Sequence, residues 1–115
     1  MDSRITIRNS VDSSSYDAVL GDEVVGTIVY ELQGNRMIIM HTLVDPEFRR
    51  QGIAKELART VLDDLVTGGM TLTNYCWFIT DFIDRNPGYA RVVDADKPGR
   101  ARPRDATRRA AKPGS

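Results

Sequence analysis

Polar and apolar residues alternate along Arg4-Ile5-Thr6-Ile7-Arg8, the period of a strand with one buried face. A second strand is expected over residues 16–20. Gly21-Asp22 then suits a two-residue hairpin turn, since glycine supplies the positive φ such turns need. Residues 24–32 are rich in β-branched side chains and read as a third strand, followed by a turn at Gln33-Gly34-Asn35. Met37-Ile38-Ile39-Met40-His41-Thr42-Leu43-Val44 is nearly continuous in apolar character, which predicts a central strand covered on both faces. Pro46 ends it, because proline cannot donate to a ladder.

After Gly52 the period changes. Ile53, Leu57, Val61 and Leu65 recur every four residues beside Ala54, Ala58 and Leu62, the stripe of an amphipathic helix. Gly68-Gly69 closes it. Residues 70–76 form a further strand. Phe78, Ile79, Phe82 and Ile83 stand at helical spacing until Asn86-Pro87-Gly88 stops the helix. Residues 89–93 read as a short last strand. The order β-β-β-β-α-β-α-β predicts an α/β (α+β) sandwich of three layers, with helices flanking a mixed, mostly antiparallel sheet. A right-handed parallel crossover joins the fourth and fifth strands.

The chain of 115 residues fits one domain, and 41% hydrophobic with 28% charged residues is ordinary for a globular fold. The zero net charge hides an asymmetry. From Lys97 onward there are seven basic residues and one acid; the rest of the chain has nine basic and fifteen acidic residues. The expected division is a folded domain over residues 1–93 and a basic, disordered tail over residues 94–115. Binding of that tail to nucleic acid is disfavoured, since it lacks interleaved aromatic residues. One cysteine and one histidine exclude an internal disulfide and leave no metal site to expect. No apolar run approaches the ~20 residues that span a bilayer, and the N-terminus lacks a signal pattern, so a cytoplasmic protein is expected.

Residues 41–55 carry the candidate chemistry. A strand ends, a loop brings two arginines and a glycine, and a helix begins. Free N–H groups and the dipole of a first helical turn attract phosphate. Gly52 lets it approach, and Arg49, Arg50 and Lys55 add charge. By spacing alone a solvated basic loop accounts for these residues equally well.

Arg49-Arg50-Gln51-Gly52-Ile53-Ala54 resembles the Arg/Gln-x-x-Gly-x-Gly/Ala signature of GCN5-related N-acetyltransferases. The chain is most similar to the short, stand-alone, YidJ-like branch of that family. The step His41-Thr42-Leu43-Val44, then Cys76-Trp77-Phe78-Ile79, Phe82-Ile83 and Asn86-Pro87-Gly88-Tyr89 carry that likeness. Where many members of the branch have proline before the cysteine, Asn74-Tyr75 stand here. The resemblance implies acetyl-CoA as cosubstrate and an amine acceptor, either a small molecule or a basic peptide. It implies that main-chain groups of Leu43 and Val44 pair with the pantetheine arm. It implies that amides of Arg49, Arg50, Gln51, Gly52, Ile53 and Ala54, with Lys55, hold the pyrophosphate, and that the thioester lies close to Cys76.

Cys76 has three readings: nucleophile, acid for the leaving thiolate, or small buried residue. Histidine is the side chain suited to proton transfer at physiological pH, which makes His41 a candidate base, although its apolar strand favours a hydrogen-bonded core histidine. Tyr75, Trp77, Phe78 and Phe82 read as core rather than as an acceptor pocket. Two functions follow: an N-acetyltransferase acting on an amine, or a CoA/acyl-CoA-binding module with little catalysis.

Overall fold

The computed structural model describes residues 5–48 and 52–99. Strands β1 (Ile5–Ser10), β2 (Ser15–Leu20), β3 (Glu23–Gln33), β4 (Arg36–Val44) and β5 (Thr71–Asn74) form one sheet in the order β1-β2-β3-β4-β5. The first four are antiparallel neighbours, and β5 lies parallel to β4. Helix α1 (Ile53–Gly68) makes the crossover, and α2 (Trp77–Arg85) follows β5. The two expected hairpin turns occur, each with glycine at positive φ: Gly21 at +64° and Gly34 at +63°.

The helical stripe is the buried set. Ile53, Leu57, Ala58, Val61, Leu62 and Leu65 are each at most 1% exposed. Gly69, left-handed at φ +65°, closes α1: its N–H donates to the Val66 carbonyl and the Met70 N–H to that of Leu65. Helix α2 contributes Ile79, Phe82 and Ile83 to the same cluster, which also holds Ile28, Tyr30, Met37, Ile39 and Leu72 from the sheet. The Arg59 guanidinium lies 5.8 Å from the Phe82 ring centroid, joining the two helices. Both helices therefore cover one face of the sheet, giving two layers among the described residues rather than three.

The opposite face carries a polar network. Ser10, Ser15 and Thr27 each donate a hydroxyl hydrogen bond to Asp17, at 2.8, 2.9 and 2.8 Å, and Arg8 approaches the same carboxylate at 3.7 Å. Burial pushes the Asp17 carboxyl up. The three hydroxyls and the Arg8 charge outweigh burial and hold it below the usual carboxylate range. Across the sheet, burial and a bond to Asp64 push the Tyr16 hydroxyl well above its ordinary value.

Two expectations are corrected. The segment expected as a last strand is instead a 3₁₀ helix over Pro87–Val92, and only Val93 bridges to Leu72. Tyr89 N–H donates to the Asn86 carbonyl and Val93 N–H to that of Ala90; this tight winding begins at Pro87, whose fixed φ suits a first turn. Residues 94–99 run along the free edge of β5, although the sequence predicts disorder there. Asp94 N–H donates to the Leu72 carbonyl, Asn74 N–H to that of Pro98, and the Thr73 hydroxyl to that of Lys97. Asp94 closes this strap with one carboxylate oxygen that accepts from the N–H groups of Asp96 and Lys97. These bonds cover donors and acceptors that a bare edge would leave to solvent. The remainder of the basic tail, from Arg100, lies outside the described residues.

Candidate functional site

Strand β4 changes character halfway. Met37, Ile38 and Ile39 are buried; Met40, His41 and Leu43 are exposed. The expectation of a strand covered along its whole length is therefore corrected. Register explains the change. β5 pairs with β4 only from Arg36↔Thr71 to Ile39↔Asn74, and the Tyr75 N–H makes the last bond to the Ile39 carbonyl at 2.9 Å. Beyond it the chain turns into α2, so residues 40–44 keep β3 on one edge and no strand on the other among the described residues.

A β-bulge lies at the same level. Val29 faces His41, but Tyr30 faces Ile39, so Met40 has no partner opposite it. The extra residue inverts the alternation that follows. Thr42 lies opposite the fully buried Ile28, on the helix-covered face, while His41 lies on the other face opposite Val29. The core-histidine reading is overturned, because His41 is exposed.

Thr42, not His41, meets the cysteine: its Oγ1 is 3.3 Å from Cys76 Sγ. Cys76 is 7% exposed and stands at the N-cap of α2 rather than inside β5. Asn74 holds its main chain. The Asn74 side-chain oxygen accepts from the Cys76 N–H at 3.0 Å. Its amide donates to the Cys76 carbonyl at 3.0 Å and to the Thr80 hydroxyl at 2.7 Å. The aromatic expectation splits: Phe82 is core, Phe78 is partly buried, but Tyr75 and Trp77 are 44% and 38% exposed on either side of Cys76.

At the start of α1, Gly52 adopts φ +76°, and a Cβ built on it meets nothing within 4 Å. Among the described residues, the first bond at this end runs from the Glu56 N–H to the Gly52 carbonyl at 3.1 Å, with no side-chain cap. The N–H groups of Ile53, Ala54 and Lys55 precede it, in the first turn where a helix leaves its amides without partners of its own. Lys55 is exposed on this turn, Leu43 is 57% exposed, and Val44 is half-buried against the core. Arg49, Arg50 and Gln51 lie outside the described residues. A groove of about 510 Å³ among Asp63, Arg85, Tyr89 and Arg91 lies toward the opposite end of α1.

Sequence reasoning passed over three residues of this region. Asn74 was legible as a side chain able to bond its own backbone two residues on. Thr42 was hidden by the bulge. Gly26 carries no local signal, because its role comes from the helix above it.

Among the described residues, no three His, Cys, Asp or Glu side chains are grouped to hold a metal, and no helix is long and apolar enough to cross a membrane. A sequence model of the family described as GCN5-related N-acetyl-transferase matches residues 15–92. Protein NATD1 of Bos taurus is 38% identical over 61 residues, covering 52% of this chain and 54% of that protein. Protein NATD1 of Danio rerio is 31% identical over 68 residues, covering 58% and 62%. The chain thus spans little more than half the length of these curated relatives. The solution structure of a GCN5-like protein from Staphylococcus aureus superposes with a TM-score of 0.61 at 20% identity, over 79% of this chain and 89% of that one, a likeness of fold. With the sheet, the crossover helix and the matched span in agreement, the chain belongs to the GCN5-related N-acetyltransferase family.

Proposed function

We propose that this protein binds acetyl-CoA and transfers its acetyl group to an amine, on a small molecule or a basic peptide. The observation that carries the reading is the opening between β4 and β5 beside the uncapped first turn of α1. Along Leu43 and Val44, the edge of β4 that has no neighbouring strand among the described residues suits an amide-bearing pantetheine arm. The amides of Ile53 and Ala54, with Lys55, suit the pyrophosphate; Arg49, Arg50 and Gln51 belong to the same motif. Bound there, the coenzyme supplies an acetyl thioester open to attack by an amine. Cys76, beside the opening, is suited either to protonate the departing sulfur or to take the acetyl group itself. His41, on the other face of β4, is suited to take a proton from an acceptor that approaches from that side.

A second reading, a coenzyme-binding module without turnover, draws on one observation: the side chain that bonds Cys76 Sγ is a hydroxyl, not an ionisable base. Thermal unfolding with and without CoA tests what both readings share. Ligand that binds only the native state raises the melting temperature, by the equivalent of about 2.7 kcal/mol at a hundred times Kd. An unmoved transition at saturating CoA removes both. CoA release on mixing acetyl-CoA with a panel of amines then separates enzyme from binder.

A further inference from the structure

We propose that the acceptor is a small amine carried on an apolar or aromatic body, and that Tyr75, Trp77, Met40 and Leu43 hold that body at the rim of the β4–β5 opening. The inference rests on the functional reading above and narrows its two acceptor classes to one.

Of the seven large hydrophobic side chains exposed among the described residues, four are these. Two come from the half of β4 that has lost its neighbour, and two from the chain that turns out of β5 into α2. Exposed apolar residues scattered singly need no explanation, whereas a group of them on both sides of one opening marks a place of binding. The fold makes no use of the two rings. Phe82 belongs to the core and Phe78 packs against it, but Tyr75 and Trp77 stand outside that cluster and stack on no other ring among the described residues. Their main chain is fixed all the same. The Tyr75 N–H bonds the Ile39 carbonyl, and the Asn74 side chain holds the next residue, so the rings are presented in place and little ordering is left for binding to supply.

Charge decides what kind of amine fits. Residues 37–44 and 71–80 include no Asp, Glu, Lys or Arg. The β3 residues opposite 41–44 are Val29, Ile28, Thr27 and Gly26. One strand further, the Asp17 carboxylate already accepts from three hydroxyls, and Asp81 on α2 pairs with Arg85 at 3.2 Å. Recognition of a basic peptide calls for carboxylates that meet its flanking charges. This rim supplies ring faces and aliphatic surface instead, which bury an apolar body and attract an ammonium group over the rings.

Trp77 is the sole tryptophan of the chain, so its emission reports on the rim directly. The full chain, with and without saturating CoA, is titrated with 2-phenylethylamine, with spermidine and with a lysine-rich peptide. A saturable change with 2-phenylethylamine is expected, and an affinity at least about tenfold weaker for the other two. Tyr75→Ala, at an exposed position, keeps the probe and is expected to weaken binding of 2-phenylethylamine about three- to tenfold. Tyr75→Phe keeps the ring and is expected to bind within about twofold of wild type.

The lack of a saturable response to 2-phenylethylamine overturns the proposal. So does an equal or tighter response to spermidine or the peptide, and so does binding that Tyr75→Ala leaves unchanged. Melting with CoA keeps this test apart from the functional reading. A coenzyme shift in the wild type alongside a silent Trp77 sinks the apolar acceptor and leaves coenzyme binding intact. The absence of any coenzyme shift sinks the functional reading, and the acceptor role with it, even where the rim binds the amine.

Discussion

Gly26 of β3 lies directly beneath Ile53, the first residue of α1. A Cβ on Gly26 would come within 3.1 Å of Ile53 Cγ2, 3.3 Å of Leu57 Cδ1 and 3.4 Å of the Leu43 carbonyl oxygen. Ile53 and Leu57 are 1% and 0% exposed, so neither can swing aside. The missing side chain therefore sets the height of the first turn of α1 above the sheet. Gly26→Ala is expected to cost about 1–3 kcal/mol by overpacking, and to weaken CoA binding by lifting the amides of Ile53 and Ala54 away from β4. Denaturant unfolding and a CoA titration, run on the same variant, check the two effects.

Gly52 makes a different prediction, because it has space but an unfavourable backbone. At φ +76° with nothing within 4 Å among the described residues, an added methyl group there meets conformational strain rather than a packed neighbour. Gly52→Ala should cost roughly 1–2 kcal/mol. Gly52→Asp should cost a similar amount in stability, yet abolish the thermal shift with CoA, because a carboxylate then occupies the anion position. A full shift in Gly52→Asp would place the phosphates elsewhere.

Asp17 governs an acid limb. Its carboxyl is depressed in the folded state, so its contribution is complete above the unfolded carboxylate pKa of about 3.9 and fades as pH falls through the lower folded value. Asp17→Asn is expected to lower stability near neutral pH by about 1–3 kcal/mol, since three hydroxyl donors lose a charged acceptor. Below pH 3 the gap to wild type should narrow. Urea unfolding at a series of pH values reads both effects, and a gap that stays constant with pH contradicts the network.

The strap over β5 predicts two different outcomes for two truncations. Removing residues 100–115 should leave the melting temperature nearly unchanged. Removing residues 94–115 takes away the bonds to Leu72, Thr73 and Asn74 and should destabilise by about 1–3 kcal/mol, with a greater tendency to associate through the bared edge. Gly99→Ala, whose Cβ would overlap the Asn74 backbone, should resemble the longer truncation.

His41 stands exposed on the sheet face away from the helices, so His41→Ala should change stability by no more than about 0.5 kcal/mol. A loss of several kcal/mol would restore the core-histidine reading. If turnover is found, the pH dependence of kcat/KM in that variant decides whether the imidazole takes part.

Much of this fold was legible in residue order alone. The stripe of α1, the glycines at the two hairpins and at the end of that helix, and the change of period after Gly52 depend on neighbours within a turn or two. Local geometry fixes them. The candidate phosphate loop was named from contiguous residues too; of these Gly52 takes a positive φ at the start of α1, while Arg49, Arg50 and Gln51 lie outside the described residues. The segment after Pro87 was harder, because Tyr89, Ala90, Val92 and Val93 are compatible with a strand until the 3₁₀ bonds from Asn86 onward are seen.

Tertiary structure alone decided what depends on register. One unpartnered residue, Met40, turned His41 outward and Thr42 toward Cys76, because side chains alternate at every step and an inserted residue reverses all that follow. Partners far apart in sequence settled the rest: Gly26 beneath Ile53, and the strap of residues 94–99 on β5. Such contacts form only when the chain closes on itself, and no stretch of neighbouring residues encodes them in isolation.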